Sequence, residues 1–306
     1  MVILILRKKI KMLKKIIIIV SVLITSGFLI YAVSNPNKKV ATIPKTDYIF
    51  PEKADFCGEE APLQIIDVRE RLDRELVTNI NLHGSTIMIL KRANRIFPII
   101  EPILAKNGVP DDFKYLAVIE SALINATSPA GAKGVWQFMP ETAKEKGMEV
   151  NDQVDERYNL VKSTEAACKY LLAAKEKLDS WSLAAASYNG GMGGINKQID
   201  FQKENNFYDL LLIEETHRYV FRILALKEIM KNPIIYGYNL QKSDLYPTIE
   251  TKKIEIDSTI TDLANFAKTQ GTNYKILKIH NPWLRDRKLD NKLKKKYLIE
   301  IPVISN

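Results

Sequence analysis

The sequence predicts a mainly α-helical protein that ends in a small βααβ module. Apolar residues recur at helical spacing over most of residues 61–235, and no part of that stretch alternates at period two for long. In the last 60 residues, by contrast, apolar and polar residues alternate in two segments, with two short helix patterns between them. With 306 residues, of which 46% are hydrophobic, the chain has ample material for a buried core.

The helical region begins with an apolar stripe and continues as a series of helices. The stripe consists of Ile65, Ile66, Val68, Leu72, Leu76 and Ile80. The next helix is predicted to begin with Ser85 as its N-cap and to stop near Asn107. Pro98 and Pro102 are expected to kink or split it. A third helix starts at Pro110, where proline and the acids after it favour a first turn. Later helices are predicted at about 162–178, 181–188 and 215–231.

The module is predicted within residues 245–306. Residues 253–257 and 297–302 alternate as strands, residues 259–270 form a helix pattern, and residues 274–279 form a second short one. From residue 242 onward there are 13 basic and 8 acidic residues, a local charge of +5. Residues 40–241 carry a local charge of −4, so the module is the more basic part.

The net charge of +9 is concentrated at the N-terminus. Residues 1–39 hold eight lysines and arginines and no acid, which leaves the other residues with a charge of +1. Residues 16–33 carry no charge and are long enough to span a bilayer. Residues 1–34 are therefore predicted to be a signal or membrane anchor with a cytoplasmic N-terminus, rather than a core helix. A Pro-punctuated linker is expected at residues 35–60, and everything after Ser34 is expected to be exported.

The positions of the cysteines and histidines argue against a metal site. Cys57 and Cys168 are the only cysteines, and neither has a spacing typical of metal ligands. The three histidines are scattered too, so a histidine–cysteine metal site is not expected. Export permits a disulfide, and the sequence leaves open a Cys57–Cys168 bond or two separate thiols. Because the excess positive charge lies in the predicted N-terminal leader, binding of nucleic acid is not expected.

Glu120 is the candidate catalytic residue. It lies four positions after Leu116 and seven after Phe113, on the apolar face of its helix. Burial raises the pKa of a carboxyl group and keeps a proton available near neutral pH, as a general acid requires. The alternative is that Glu120 simply reaches solvent at the end of an amphipathic helix.

A glycine-containing segment follows, Ser128-Pro-Ala-Gly-Ala-Lys-Gly-Val-Trp-Gln-Phe-Met-Pro140. Small residues allow a ligand to approach the backbone closely. Trp136 and Phe138 are expected to offer apolar faces to sugar rings, and Gln137 an amide for hydrogen bonds. The alternative is an ordinary loop that leads into a helix near Pro140.

Four motifs in order give the sequence a specific resemblance. They are Glu120-Ser121, the Ser128–Pro140 segment, Ala186-Ser187-Tyr188-Asn189-Gly190-Gly191, and Glu215-Thr216-His217-Arg218-Tyr219-Val220. Together they resemble the lytic transglycosylases of the goose-type lysozyme-like fold, most of all the membrane-bound lytic murein transglycosylase D group. The sequence departs from that pattern in two places: the Glu120–Ser128 interval is one residue shorter than in many members, and Gly190 stands where Ala is common.

The resemblance implies a lysozyme-like helical domain and a site with one catalytic carboxylate. Glu120 matches the catalytic acid/base. The residues that match positions along the substrate cleft, or lie next to them, are Ser121, Ser128, Gln137, Met139, Tyr188, Asn189 and Tyr219. The implied reaction cleaves the β-1,4 bond between N-acetylmuramic acid and N-acetylglucosamine in peptidoglycan and leaves a 1,6-anhydro end, without water, metal or cofactor. The implied setting is the periplasmic side of a bacterial envelope, with cell-wall synthesis or division proteins as possible partners.

The sequence leaves two other functions open. One is a muramidase that uses water, and the other is a non-catalytic protein that binds the wall. The C-terminal module resembles the lysin-motif-like region of the same group, although Asp257-Ser258 replaces the usual Gly-Asp opening. Glycan binding, aided by its positive charge, and a purely structural role are both open for this module.

Overall fold

The structure is a computed structural model that describes residues 48–303. The predicted signal or anchor at residues 1–34, and residues 35–47 of the predicted linker, lie outside the described residues. Within residues 48–303, no helix is long and apolar enough to cross a membrane.

A helical domain occupies most of the described chain, as the sequence predicts. Its helices are α1 (Ile66–Asn81), α2 (His83–Lys106), α3 (Phe113–Ser121), α4 (Pro140–Glu145), α5 (Leu160–Leu178), α6 (Trp181–Gly190), α7 (Met192–Gln202) and α8 (Glu214–Lys231). Helix α8 packs against α1, α3 and α6, and most of its side chains are buried. Because α8 lies at the centre of the core, its inward face meets the end of α3 that carries Glu120.

Two details of the first helices differ from prediction. Ile65 and Ile66 are 42% and 73% exposed, because α1 starts only at Ile66 and the buried stripe begins at Val68. Ser85 is not an N-cap, since α2 starts at His83 and has no side-chain cap.

The prolines of α2 do not split it. Helix α2 continues through Pro98 and Pro102 to Lys106. Each proline removes one helical hydrogen bond. The complete burial of Ile100 and Leu104 gives this half of the helix a packed face that offsets the loss.

Helix α7 was not predicted. It contains two glycines, Gly193 and Gly194, and Ile195 is its one buried side chain. A helix with so little apolar surface gives almost no periodic signal.

Part of the predicted linker belongs to the helical domain. Strands β1 (Asp55–Phe56) and β2 (Glu59–Glu60) form an antiparallel hairpin, and the Phe56 side chain is fully buried in the core. The Glu59 carboxylate accepts hydrogen bonds from the backbone N–H of Trp181 (2.6 Å) and of Ser182 (2.8 Å) at the start of α6. An acid at a helix N-terminus stabilises the helix. The helical domain therefore begins before residue 61.

The C-terminal module has the predicted βααβ order. Strand β3 (Thr251–Ile256) pairs antiparallel with β4 (Tyr297–Pro302), from Thr251 opposite Pro302 to Ile256 opposite Tyr297. Helices α9 (Leu263–Thr269) and α10 (Tyr274–His280) lie between them in sequence. Asn281 anchors the turn after α10, because its side chain bonds the backbone N–H and C=O of Glu300 at 2.8 and 2.7 Å.

The two cysteines are separate thiols. Cys57 is half-buried in the turn of the N-terminal hairpin, and Cys168 is buried within α5. Burial raises the pKa of Cys168 to about 11. Of the two possibilities that the sequence left open, the structure has the free thiols.

Candidate active site

Glu120 lies at the end of α3, half-buried, and faces α8. The Tyr219 hydroxyl, in the second turn of α8, donates a hydrogen bond to Glu120 Oε1. Burial raises the pKa of Glu120, and the nearby Glu215 raises it further. The hydrogen bond from Tyr219 and the charge of Arg222 act in the opposite direction, but the net shift is upward. A carboxyl group in this setting retains its proton to a higher pH than an ordinary glutamate.

The backbone after Glu120 is held in an uncommon conformation. Ala122 and Leu123 have φ angles of 51° and 60°, although neither is glycine. Such angles cost free energy and occur often at functional sites. Two arginines bond the carbonyls at this end of α3, Arg222 to Ile119 and Arg92 to Ala122, each at 3.2 Å. These bonds satisfy helix-end carbonyls and fix the position of Glu120.

Two predicted site residues hold the backbone of the glycine-containing loop, residues 128–139. Ser121 is buried, and its hydroxyl donates to the Val135 carbonyl at 2.8 Å. The Tyr188 hydroxyl, on α6, donates to the Trp136 carbonyl at 2.8 Å. Burial raises the pKa of the Tyr188 phenol, and the nearby Glu120 carboxylate raises it further. The loop is therefore tied both to α3 and to α6 beside the catalytic candidate.

Three predicted site residues lie on the loop itself. Ser128 Oγ accepts the backbone N–H of Ala132 at 3.0 Å and so closes the first turn of the loop. The Gln137 side chain turns back and donates to the Gly134 carbonyl at 2.7 Å, from a backbone with φ of 49°. Met139 comes just before α4 and is 39% exposed, so its side chain is available to a ligand.

The prediction that Trp136 and Phe138 face sugar rings is wrong. Trp136 is 0% exposed and Phe138 is 3% exposed. The Trp136 Nε1–H donates to Thr164 Oγ1 at 2.8 Å, within the core beside α5. An indole whose faces are packed and whose N–H is satisfied internally is a core side chain.

Asn189 connects its own motif, residues 186–191, to the motif at residues 215–220. Its Oδ1 accepts the Thr216 hydroxyl at 2.7 Å, and its Nδ2 donates to Glu215 at 3.4 Å. A Cβ added to Gly190 would lie 3.0 Å from the Thr216 methyl group. The glycine that departs from the family pattern therefore lets α6 approach α8 closely at this point.

Two residues that hold the loop, Asp155 and Arg157, were not predicted from the sequence. Both are buried, and the Arg157 guanidinium makes a two-pronged pair with the Asp155 carboxylate, at 2.8 and 2.7 Å. Arg157 Nη1 also donates to the loop carbonyls of Gly131 (3.1 Å) and Phe138 (3.3 Å). Burial acts to raise the pKa of Asp155, but the bonds from Arg157 hold it below its ordinary value. Asp-x-Arg is too short and common a pattern to reveal this role in sequence.

The arrangement suits acid–base chemistry at one carboxyl group. Glu120 is desolvated and oriented by a phenol, and the nearby Glu215 is exposed and bonded to Asn189. Within residues 48–303, no three His, Cys, Asp or Glu side chains come together as metal ligands. The described site therefore offers one proton donor and acceptor, with hydroxyl and amide groups around it.

Two known domain families match the chain. The transglycosylase SLT domain matches residues 97–211, which include Glu120, the loop and Tyr188. The soluble lytic transglycosylase C-terminal LysM-like domain matches residues 252–305, which is nearly the whole βααβ module.

Several known proteins are similar to the chain. Membrane-bound lytic murein transglycosylase D of Escherichia coli K12 is 31% identical over 235 residues, which is 74% of this chain and 50% of that protein. Peptidoglycan transglycosylase gp16 of Escherichia phage T7 is 33% identical over 133 residues, which is 42% of this chain and 10% of that protein. A structure of an inactive mutant of lytic transglycosylase Slt from Pseudomonas aeruginosa matches 49% of this chain and 26% of that one, with 20% identity and a TM-score of 0.37.

The chain thus spans about half the length of the transglycosylase D relative that it matches. The resemblance inferred from the four motifs is confirmed, and so is the mainly helical fold with a LysM-like module. Residues 97–211 are therefore similar to the transglycosylase SLT domain, and residues 252–305 are similar to the LysM-like domain at the C-terminus of soluble lytic transglycosylases.

Proposed function

We propose that the chain is a peptidoglycan lytic transglycosylase in which Glu120 is the catalytic acid and base. The observation that carries this proposal is the single desolvated carboxyl group at the end of α3, held by Tyr219. The SLT family match and the names of the relatives support the choice of peptidoglycan as substrate.

The reaction has two steps that both use Glu120. In the first, the protonated carboxyl group gives its proton to the glycosidic oxygen between N-acetylmuramic acid and N-acetylglucosamine, and the bond to the anomeric carbon breaks. The 2-acetamido oxygen of the substrate stabilises the positive anomeric carbon. In the second, the Glu120 carboxylate takes the proton of the muramic acid 6-hydroxyl as that oxygen bonds to the anomeric carbon. This forms the 1,6-anhydro ring and returns Glu120 to its protonated state.

A second carboxylate is not required by this chemistry. Most glycosidases need one to act as nucleophile or to activate water. Here the nucleophile belongs to the substrate, and an intramolecular group has a large effective concentration. We propose that Ser121, Ser128, Gln137, Met139, Tyr188, Asn189 and Tyr219 form and support the cleft around the glycan.

We also propose an exported, membrane-anchored enzyme that acts on the periplasmic side of the cell envelope. The uncharged segment at residues 16–33 and the eight basic residues among residues 1–39 support this topology. A tether of this kind would hold the catalytic domain near the wall, where cell-wall synthesis or division proteins are possible partners.

Mass spectrometry of digested peptidoglycan tests the activity. The proposal predicts muropeptides with anhydro ends, each one water lighter than the corresponding reducing end. Glu120→Gln is expected to lower the rate by about 100- to 10,000-fold, since it removes the general acid. Glu141→Gln, an exposed carboxylate on α4, is the matched control and is expected to retain full activity. Products with reducing ends alone would indicate a muramidase, and no products from the wild type would indicate a wall-binding protein.

A further inference from the structure

The C-terminal module is docked on one segment of the helical domain, residues 149–158. The backbone N–H of Asp155 donates to the Trp283 carbonyl at 2.9 Å, and the backbone N–H of Arg285 donates to the Gln153 carbonyl at 2.7 Å. These two bonds form an antiparallel bridge between Val154 and Leu284. The docking segment therefore pairs with the module by backbone hydrogen bonds.

Side chains on both sides complete this contact. The Gln153 amide bonds the Asp290 carboxylate and backbone N–H, each at 2.7 Å. Tyr297 donates to the Glu149 carboxylate at 2.9 Å. These bonds extend the contact across the module, from the loop before β4 to β4 itself.

The docking segment also supplies part of the module's core. Val154 is 1% exposed and Tyr158 is 6% exposed, and both belong to the apolar cluster that contains Trp283 and Leu284. The Arg285 guanidinium lies over the Tyr158 ring, 4.3 Å from its centroid. A module that buries side chains of another domain in its own core is fixed to that domain.

The same few residues hold the glycine-containing loop from the opposite side. Asp155, whose backbone is bonded to the module, holds the Arg157 guanidinium, which donates to the loop carbonyls of Gly131 and Phe138. The loop's Lys133 ammonium is 3.5 Å from the Asp155 carboxylate. Tyr158, which lies in the module core, shares a hydrogen bond of 2.9 Å with the Thr127 hydroxyl just before the loop. A continuous series of bonded groups therefore joins the module to the loop that carries Ser128 and Gln137.

We infer that the C-terminal module clamps the substrate loop of the helical domain, with Asp155 and Arg157 as positioning residues. This inference rests on the proposed function for its catalytic consequence, but its structural content stands separately. The module is then a fixed part of the active-site framework rather than a wall-binding head on a flexible connection. A looser clamp should weaken glycan binding by the loop and leave Glu120 undisturbed, because α3, α6 and α8 hold that carboxyl group without help from the module.

The experiment uses the full chain and compares three variants with the wild type. Arg157→Lys keeps a cation beside Asp155 but loses the fork that reaches two loop carbonyls. The double variant Gln153→Ala with Arg285→Ala weakens the docking contact from both sides. Lys268→Ala is the matched control, because Lys268 is exposed on α9 and, among the described residues, its side chain makes no hydrogen bond or ion pair with the docking segment.

Amide hydrogen exchange of residues 128–138 and steady-state cleavage of soluble glycan strands are measured for each variant. We expect faster loop exchange and a KM about tenfold higher for Arg157→Lys, with a smaller effect of the same sign for the double variant. The pH dependence of kcat should be unchanged in both. Loop exchange in the double variant equal to that of Lys268→Ala would overturn the clamp. If the wild type cleaves nothing, the proposed function fails, and loop exchange still decides whether the clamp exists.

Discussion

Gly134 occupies a point where the loop backbone touches the docking segment, and its replacement by alanine should destabilise the protein. An added Cβ would lie 1.9 Å from the Arg157 carbonyl oxygen and 2.8 Å from the carbonyl carbon. Both atoms belong to the backbone, so the contact cannot be relieved by a side-chain rotation. The φ angle of +84° is also unfavourable for any residue with a Cβ.

The expected loss of stability follows from the contact of the added Cβ and from the positive φ. The positive φ costs about 1–3 kcal/mol for alanine. Forcing an extra carbon into a packed region costs about another 1–3 kcal/mol. Gly134→Ala is therefore expected to lower the free energy of unfolding by about 2–6 kcal/mol, and Tm falls by about 2–4 °C for each kcal/mol in a protein of this size. Equilibrium unfolding in urea measures the difference.

Gly131→Ala is the matched control. Gly131 lies in the same loop with φ of +89°, but an added Cβ would meet nothing within 4 Å. Its replacement should therefore lower the free energy of unfolding only by the cost of the positive φ, about 1–3 kcal/mol. Equal stability of the two variants would refute the proposed close approach of the loop to Arg157.

Three further predictions concern the charged groups of the helical domain. Tyr219→Phe removes a hydrogen bond that lowers the pKa of Glu120, so the alkaline limb of the pH–rate profile should move to higher pH; a shift to lower pH would contradict the assignment. Glu120→Gln should be more stable than the wild type at neutral pH, because the native pKa is raised and the wild type loses stability as pH rises from the unfolded to the native value. That advantage should disappear below about pH 4, and thermal unfolding at several pH values checks it. Glu75→Ala removes the buried carboxylate that bonds Arg218 at 2.6 Å. It should lower the free energy of unfolding by about 2–3 kcal/mol, less than for a fully buried pair, because Arg218 reaches solvent. Unchanged stability in urea would refute this.

The position of Glu120 was predictable because it depends on local periodicity. A residue four positions after Leu116 and seven after Phe113 lies on their face of the helix wherever that helix packs. Leu116 and Phe113 are both fully buried in the structure. The strand at residues 297–302 was predicted for the same kind of reason, since alternation at period two is a local property.

The directions of Trp136 and Phe138 were not predictable in the same way. A glycine-containing loop has no period, so the sequence does not say which side chains point inward. Trp136 points inward because Thr164, 28 residues later, accepts its N–H. The contact depends on the tertiary fold. It buries the aromatic ring, which therefore cannot stack on a sugar ring.

The roles of Asp155 and Arg157 depend on contacts that are still more distant in sequence. Arg157 reaches carbonyls 19 and 26 residues before it, and the Asp155 backbone bonds to Trp283 in a different domain. Backbone carbonyls leave no mark in the sequence as hydrogen-bond acceptors. The motifs thus locate the proposed catalytic carboxyl group and its neighbours, whereas the groups that hold the loop are visible only in the fold.

The central claim is that Glu120 cleaves the glycan without consuming water. Digestion of peptidoglycan in water enriched in heavy oxygen, followed by mass spectrometry of the new ends, tests it most directly. Wild-type digests are expected to contain anhydro ends that carry no heavy oxygen, and Glu120→Gln is expected to produce no such ends in the same time. New reducing ends that carry heavy oxygen in the wild-type digest would contradict it.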